Sequence, residues 1–245
     1  MKKTLTMSAM LSSLMFANEA NQKWDGKYFT ITFNQNGAKV DNKSNINKGN
    51  YYTGDDAVLI SPHVNKDVYK NLSGATVSLG YNTQKENLIY GLELDLSLAD
   101  YKYEYDSGRI EYHTLPGTFF KVQTKTKHDW ILSLQPKIGY ASNSIMYYIT
   151  AGPSLAKIEY DFRKTDTAFN INFHQSSNKY VVGWNAGLGI EHKLGDNWSM
   201  RAEYLYTNFP AAAKENGTLS GYTTTYNNKV DYQINTFSIG LVKKF

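Results

Sequence analysis

Leu88-Ile89-Tyr90-Gly91-Leu92-Glu93-Leu94-Asp95-Leu96-Ser97-Leu98 sets Leu or Tyr at every even position and Gly91, Glu93, Asp95 and Ser97 opposite. Successive side chains of a strand point to opposite sides, so this alternation reads as a strand whose two faces meet different surroundings. Seven further stretches alternate in the same way: 29–33, 75–81, 130–140, 145–154, 182–191, 198–207 and 237–241. One such stretch is weak; eight in succession make the chain all-β.

The spacers carry the next piece of information. Long gaps at 34–72, 100–128, 156–180 and 208–231 alternate with short ones at 82–87, 141–144 and 194–197. A barrel spanning a membrane has long connections on one side and tight turns on the other. The reading is therefore an eight-stranded antiparallel up-and-down transmembrane β-barrel over residues 21–245, presenting four surface loops.

A soluble barrel would also alternate, with its apolar face turned inward. The aromatics separate the two. Tyr81, Tyr90, Tyr140, Tyr147 and Trp198 sit on the apolar face near the short turns; Trp130, Trp184, Tyr204 and Tyr206 sit near the long gaps. Two such girdles are what interfacial anchoring requires, since these rings combine an apolar body with a polar tip. The charged residues agree. Glu93, Asp95, Lys137, Glu191, Arg201 and Glu203 all fall opposite the apolar rows. On the lipid face a basic residue near the midplane costs roughly 2–4 kcal/mol. Inside, the six form a lumen of structural ion pairs, and eight strands leave an interior just wide enough for side chains. The glycine row on the sixth strand, Gly183, Gly187 and Gly189, is read as room for long neighbours such as Arg201.

The first twenty residues read differently. Lys2 and Lys3 precede an apolar run over 5–16 and a small-residue end at 17–20, the order of a secretory signal peptide, with cleavage expected after Ala20. The run is too short for a membrane helix. Mean hydropathy of −0.50 excludes a helical-bundle membrane protein but not a barrel, which spends only alternate residues on lipid. With no cysteine among 245 residues there is no disulfide framework, thiolate metal site or acylated cysteine. The formal charge of +4 is scattered, without the basic stripe that nucleic acid needs.

Catalytic and metal motifs are missing from the sequence. No Ser lies in a G-x-S-x-G context, and no H-E-x-x-H or acidic calcium loop occurs. His63, His113, His128 and His174 fall in or beside the long gaps, and His192 at the short-turn end of strand six. Asp55 and Asp56 read as a solvated loop tip. Tyr101, Tyr103 and Tyr105 keep period two and read as a strand continued above the membrane, with an adhesive loop as the alternative. No enzyme, metal or cofactor is expected.

Two segments carry a resemblance. Gly183-Trp184-Asn185-Ala186-Gly187-Leu188-Gly189-Ile190-Glu191 is followed by Asp196-Asn197-Trp198-Ser199-Met200-Arg201-Ala202-Glu203-Tyr204-Leu205-Tyr206. This hairpin resembles the opacity-type, porin-like small outer-membrane proteins, relatives of the OmpA transmembrane domain. Tyr90-Gly91-x-Glu93-x-Asp95 and the stretch from Pro136 to Ala141 look like that family's third and fourth strands. The resemblance implies a monomeric barrel in the Gram-negative outer membrane, surrounded by lipid, with roles in envelope integrity or contact with a host or surface ligand through its loops. It also implies that barrel-assembly machinery reads Phe245, although Lys243 stands where the family has an apolar residue. Lys243 is expected to snorkel at the periplasmic interface. A small porin-like solute pathway and a haem-capturing barrel using Tyr112 and His113 stand as alternatives.

Overall fold

The computed structural model describes residues 23–46, 54–65, 67–168, 171–195, 197–218 and 225–245. The signal-peptide reading of residues 1–20 lies outside the described residues. Eight long strands form the wall: β1 (Gly26–Ile46), β2 (Asp67–Lys85), β3 (Leu88–Asp106), β5 (Phe119–Ser142), β6 (Ile145–Asp166), β7 (Ile171–Lys193), β8 (Trp198–Thr218) and β9 (Thr225–Lys244). A two-residue strand, β4 (Ile110–Glu111), adds to the top of β5, and one helix, α1 (Gly54–Val64), lies between β1 and β2. All neighbours are antiparallel, and β3 pairing with β5 closes the sheet into a barrel.

Closure follows from the alternation. Along β3 and β5, Leu88 faces Tyr140, Tyr90 faces Ile138 and Leu94 faces Leu134, so apolar residues lie beside apolar residues around the outside. The tight turns need unusual backbone. Glu86 (φ 54°) and Asn143 (φ 47°) take left-handed conformations, which Asn tolerates better than most residues because its short polar side chain bonds locally.

The strands are far longer than a membrane requires. β6 has 22 residues. At about 3.4 Å per residue and a tilt near 40°, such a strand rises roughly 55 Å, while a lipid belt is about 25 Å tall. The long gaps at 100–128, 156–180 and 208–231, expected as surface loops, are therefore mostly strand, and the gap at 34–72 is about half strand and also holds α1. Among the described residues, the connections beyond the strand ends shrink to 107–118, which includes β4, and to the helix-bearing segment between β1 and β2.

Where the strands leave the lipid belt, their polarity inverts. On β6, Ile145, Tyr147, Ile149 and Ala151 face outward, with Tyr148, Thr150 and Ser154 inside. Higher on the same strand Glu159, Asp161 and Arg163 face outward, and Ile158, Tyr160 and Phe162 are buried inside. β9 repeats this. Phe237, Ile239 and Leu241 are exposed outside below, whereas Val230, Tyr232 and Ile234 are buried inside above. β1 does so too, from exposed Ile31 and Phe33 to buried Ala38 and Val40. The barrel is thus a polar-cored tube in lipid joined to an apolar-cored tube in water. Register shifts fall between Leu98 and Tyr101 on β3, Lys127 and Ile131 on β5, and Phe209 and Ala213 on β8, at the junction of the two. Pro210 sits within the last, a position where the missing N–H breaks no ladder.

Candidate functional site

The site is the interior, taken from the short-turn end upward. The lower mouth is blocked by Trp24, which the sequence reading did not single out. Its ring is buried with Ile89, Ala141, Met146 and Tyr148. Its backbone N–H donates to Gln84 Oε1 at 2.7 Å, and Asp25 accepts from the Gln84 backbone.

Above Trp24 lies the charged layer. Arg201 on β8 donates to both Glu93 carboxylate oxygens on β3, at 2.8 and 2.9 Å. β3 and β8 are four strands apart in either direction round the barrel, so this bond crosses a full diameter. Lys137 reaches Glu93 at 2.8 Å, and Arg201 also donates to Glu191 at 3.1 and 3.2 Å. Ser199 donates to Glu191 as well. Four of the six expected lumen residues therefore form one connected cluster. Glu203 instead accepts from the Tyr148 hydroxyl at 2.7 Å, and Asp95 lies buried beside the cluster without a bridge to either base.

The perpendicular diameter is aromatic. Tyr28 on β1 and Tyr148 on β6 place their rings 5.4 and 5.5 Å from the Arg201 guanidinium, and 5.1 and 4.6 Å from Lys137 Nζ. A cation over a ring face is favoured by the ring quadrupole, more so away from water. Glycines make this possible. A Cβ on Gly80 would lie 2.1 Å from the Tyr28 ring, and one on Gly189 would lie 2.3 Å from the Tyr148 ring. The glycine row of strand six thus makes room for Tyr148, Leu205 and Phe209 rather than for Arg201. The signal for Tyr28 and Tyr148 was the pairing of Gly80 and Gly189 with aromatic residues on the polar face of neighbouring strands.

Over the charged layer is a narrow polar chamber with about 40 Å³ of water-sized space. Hydroxyls and amides bond one another along its wall: Asn34 to Thr76 at 2.6 Å, Thr76 with Ser97 at 2.8 Å and Ser133 with Ser154 at 2.9 Å. Its roof is His128, whose Nε2 lies 2.5 Å from the Tyr232 hydroxyl, with Tyr101 stacked on the imidazole at 5.4 Å. Burial pushes the His128 imidazole down to about 4, against a weaker upward pull from Asp129.

The remaining upper interior is an apolar core containing Val40, Tyr103, Phe120, Ile158, Phe162 and Phe209. Helix α1 seats Ile60 in it. Asp56, expected in a solvated loop tip, is instead buried in the first turn of α1 and accepts from Thr114 at 2.6 Å, while Asp55 stays exposed. An acidic residue there complements the helix N-terminus. Tyr101 and Tyr103 face inward on β3, as a continued strand requires. Tyr112 is buried and donates to Asp166, which lies 3.8 Å from Lys164; burial pushes that lysine down to about 7 despite the carboxylate. His113 is exposed. His63 on α1 lies 2.8 Å from the Tyr105 hydroxyl, and His174 pairs with Asp161 on the outer wall. Among the described residues no group of His, Asp and Glu is arranged to hold a metal.

The girdle residues stand on the outer wall. Tyr81, Tyr90, Tyr140, Tyr147, Trp198, Trp184 and Tyr204 are exposed to roughly half their area. Trp130 and Tyr206 are half-buried against Tyr180 and Trp184. Lys243 lies 4.8 Å over Trp198, and Phe245 is exposed, its backbone N–H bonded to the Lys27 carbonyl.

A family model described as the outer membrane protein beta-barrel domain matches residues 6–245. The 25 kDa outer-membrane immunogenic protein of Brucella melitensis is 32% identical over 166 residues, 68% of this chain and 62% of that protein. The 31 kDa outer-membrane immunogenic protein of the same organism is 29% identical over 133 residues, 54% of this chain and 51% of that protein. The chain thus spans between half and two thirds of these relatives' length. The outer membrane protein OprG of Pseudomonas aeruginosa is 14% identical with a TM-score of 0.47, covering 90% of this chain and 97% of that one.

Proposed function

We propose, from the premise that this chain belongs to the outer membrane protein β-barrel domain family and lies in the outer membrane, that it is a closed barrel whose task is to hold a rigid β-stalk outside the cell for contact with surface partners. The inversion of polarity along β1, β6 and β9 carries this reading. An apolar interior above the lipid belt gives the stalk a core of its own, and the outer wall there is charged and open to partners. An ordered raised wall also presents the kind of surface that relatives named as immunogenic proteins would offer to antibodies.

A solute pathway finds three obstacles stacked in the lumen: Trp24, the Arg201–Glu93 bar with its flanking tyrosines, and the aromatic and apolar core above. Each is packed, and eight strands leave little spare width. A haem ligand from Tyr112 would have to surrender its bond to Asp166. Single-channel recording of protein refolded into planar bilayers tests the closed-scaffold reading. No discrete steps are expected, and reproducible steps of fixed size would overturn it. Protease or antibody access to the stalk on intact cells tests the presenting role: labelling of β6 above Lys157 is expected, and its absence counts against a surface role.

A further inference from the structure

The charges buried within the lipid belt do not balance. Among the described residues there, Glu93, Asp95, Glu191 and Glu203 are buried acids, while Lys137 and Arg201 are the buried bases. Four negative charges stand against two positive ones, a surplus of two. Lys137 and Arg201 serve Glu93 and Glu191, so the surplus falls on Asp95 and Glu203. Glu203 accepts from the Tyr148 hydroxyl. Asp95 is 5% exposed, and its Oδ1 has no hydrogen-bond partner. A buried charge without a counter-charge is among the costliest groups a fold can hold.

Both acids line the polar chamber that lies between the charged layer and His128. The wall around them is oxygen-rich. Ser78 stands opposite Asp95 across the β2–β3 ladder, and Ser238 stands opposite Glu203 on β9 and opposite Asn34 on β1; all three line the chamber. The roof supplies an independent observation. His128 is 4% exposed, and its Nδ1 is a second buried polar atom without a hydrogen-bond partner. Two unpartnered polar groups thus border one space from opposite ends. That space of about 40 Å³ exceeds the roughly 10–15 Å³ that a single water needs, so it suits a small ion with a water or two.

The donor chemistry selects the ion. Carboxylate, hydroxyl and amide oxygens suit a hard cation. A divalent ion brings six or more oxygens, or several waters of its own, and no group of three acids or histidines is arranged to hold one among the described residues. A singly charged ion asks less of the site. We propose that the chamber binds one alkali cation, with Asp95 as its charged ligand and the neighbouring hydroxyl and amide oxygens completing its shell. Glu203, on the same chamber, adds its negative charge to the field that holds the ion. The cation then does for Asp95 what Arg201 and Lys137 do for Glu93, and it completes the cross-brace of the lumen.

The test is urea unfolding of the full chain in lipid vesicles at fixed ionic strength. Sodium chloride replaces tetramethylammonium chloride stepwise, the larger cation being too bulky for the chamber. One ion bound only by the folded state raises the folding equilibrium constant in proportion to free sodium once the site fills. A gain of about tenfold per tenfold sodium is therefore expected. Asp95→Asn keeps the shape and removes the charge, and it is expected to abolish the dependence. Each variant is checked as a folded barrel by its shift on an unboiled gel. Glu203→Gln, expected to weaken the sodium dependence, serves if Asp95→Asn does not fold. An unaltered chain indifferent to sodium would overturn the proposal. Full dependence in folded Asp95→Asn would do so too, by placing the ion elsewhere, as would a response to calcium without one to sodium.

Discussion

The lower and upper halves of this barrel share eight strands and one hydrogen-bond ladder, yet they solve opposite problems. Below, lipid takes the apolar side chains, so the interior must satisfy charges: Arg201, Glu93, Lys137 and Glu191 bond across the lumen. Above, water takes the charges, so the interior holds Phe120, Phe162 and Tyr232. The difference teaches that polarity along a strand follows the solvent at each height. The backbone itself is indifferent. It predicts that the two halves fail by different routes.

The largest expected effect is in the lower half. Arg201→Met leaves Glu93 and Glu191 buried without their shared partner, and breaking such a cluster from one side costs about 3–5 kcal/mol. Urea unfolding in lipid vesicles should show a lower midpoint for the whole barrel, together with reduced heat resistance on gels. Unchanged values would remove the cross-brace from the account.

Much of the lower half was legible in the sequence, because one parity of apolar residues runs from turn to belt and the short turns fix its phase. The upper half was not, and β6 shows why. Its apolar residues move from odd numbers (Ile145, Tyr147, Ile149) to even ones (Ile158, Tyr160, Phe162). A pattern search treats that slip as the end of a strand. On β5 the even parity persists from Phe120 to Tyr140, and the irregularity between Lys127 and Ile131 turns the face instead. The charged cluster was visible as six residues opposite the apolar rows, but not its geometry. That depends on Tyr28, Tyr148 and Trp24, which look like any other aromatic residues until the glycines facing them are paired by register.

Next in size is Phe162→Ala, which opens a cavity in the stalk core at a cost of about 3 kcal/mol. This loss should stay local. Hydrogen exchange above Lys157 should quicken while the belt region of the same strand stays protected; equal loosening of both would deny the stalk a core of its own. Gly189→Ala comes third. Its Cβ meets the Tyr148 ring, and overpacking of this kind costs about 1–3 kcal/mol. The unfolding midpoint should fall by less than for Arg201→Met, and a double variant with Tyr148→Ala should recover part of the loss.

A pH effect is expected in the upper half. His128 is held near 4 in the fold against an ordinary 6.5. Between those values the unfolded chain binds a proton that the folded chain does not, so stability rises with pH through this window and is lost on acidification. Protease sensitivity of β5 above Trp130 should increase from pH 7 to pH 5, and His128→Gln should flatten that change. The smallest effect expected is at the outer wall. Lys39→Ala removes an exposed pair with Asp67, and no measurable shift in unfolding is expected, since solvent and salt screen such pairs.

β1, β6 and β9 continue above the lipid with their polarity reversed, and spin labels along β6 test this most directly. The chain has no native cysteine, so single cysteines at successive positions from 145 to 166 can each carry one label in vesicle-inserted protein. Outward positions 147–151 should be accessible to oxygen and outward positions 159–163 to an aqueous nickel complex. Inward positions 158, 160 and 162 should be immobile and shielded from both. Uniformly mobile labels above 156, without period two, would show loops in place of a stalk and contradict the account.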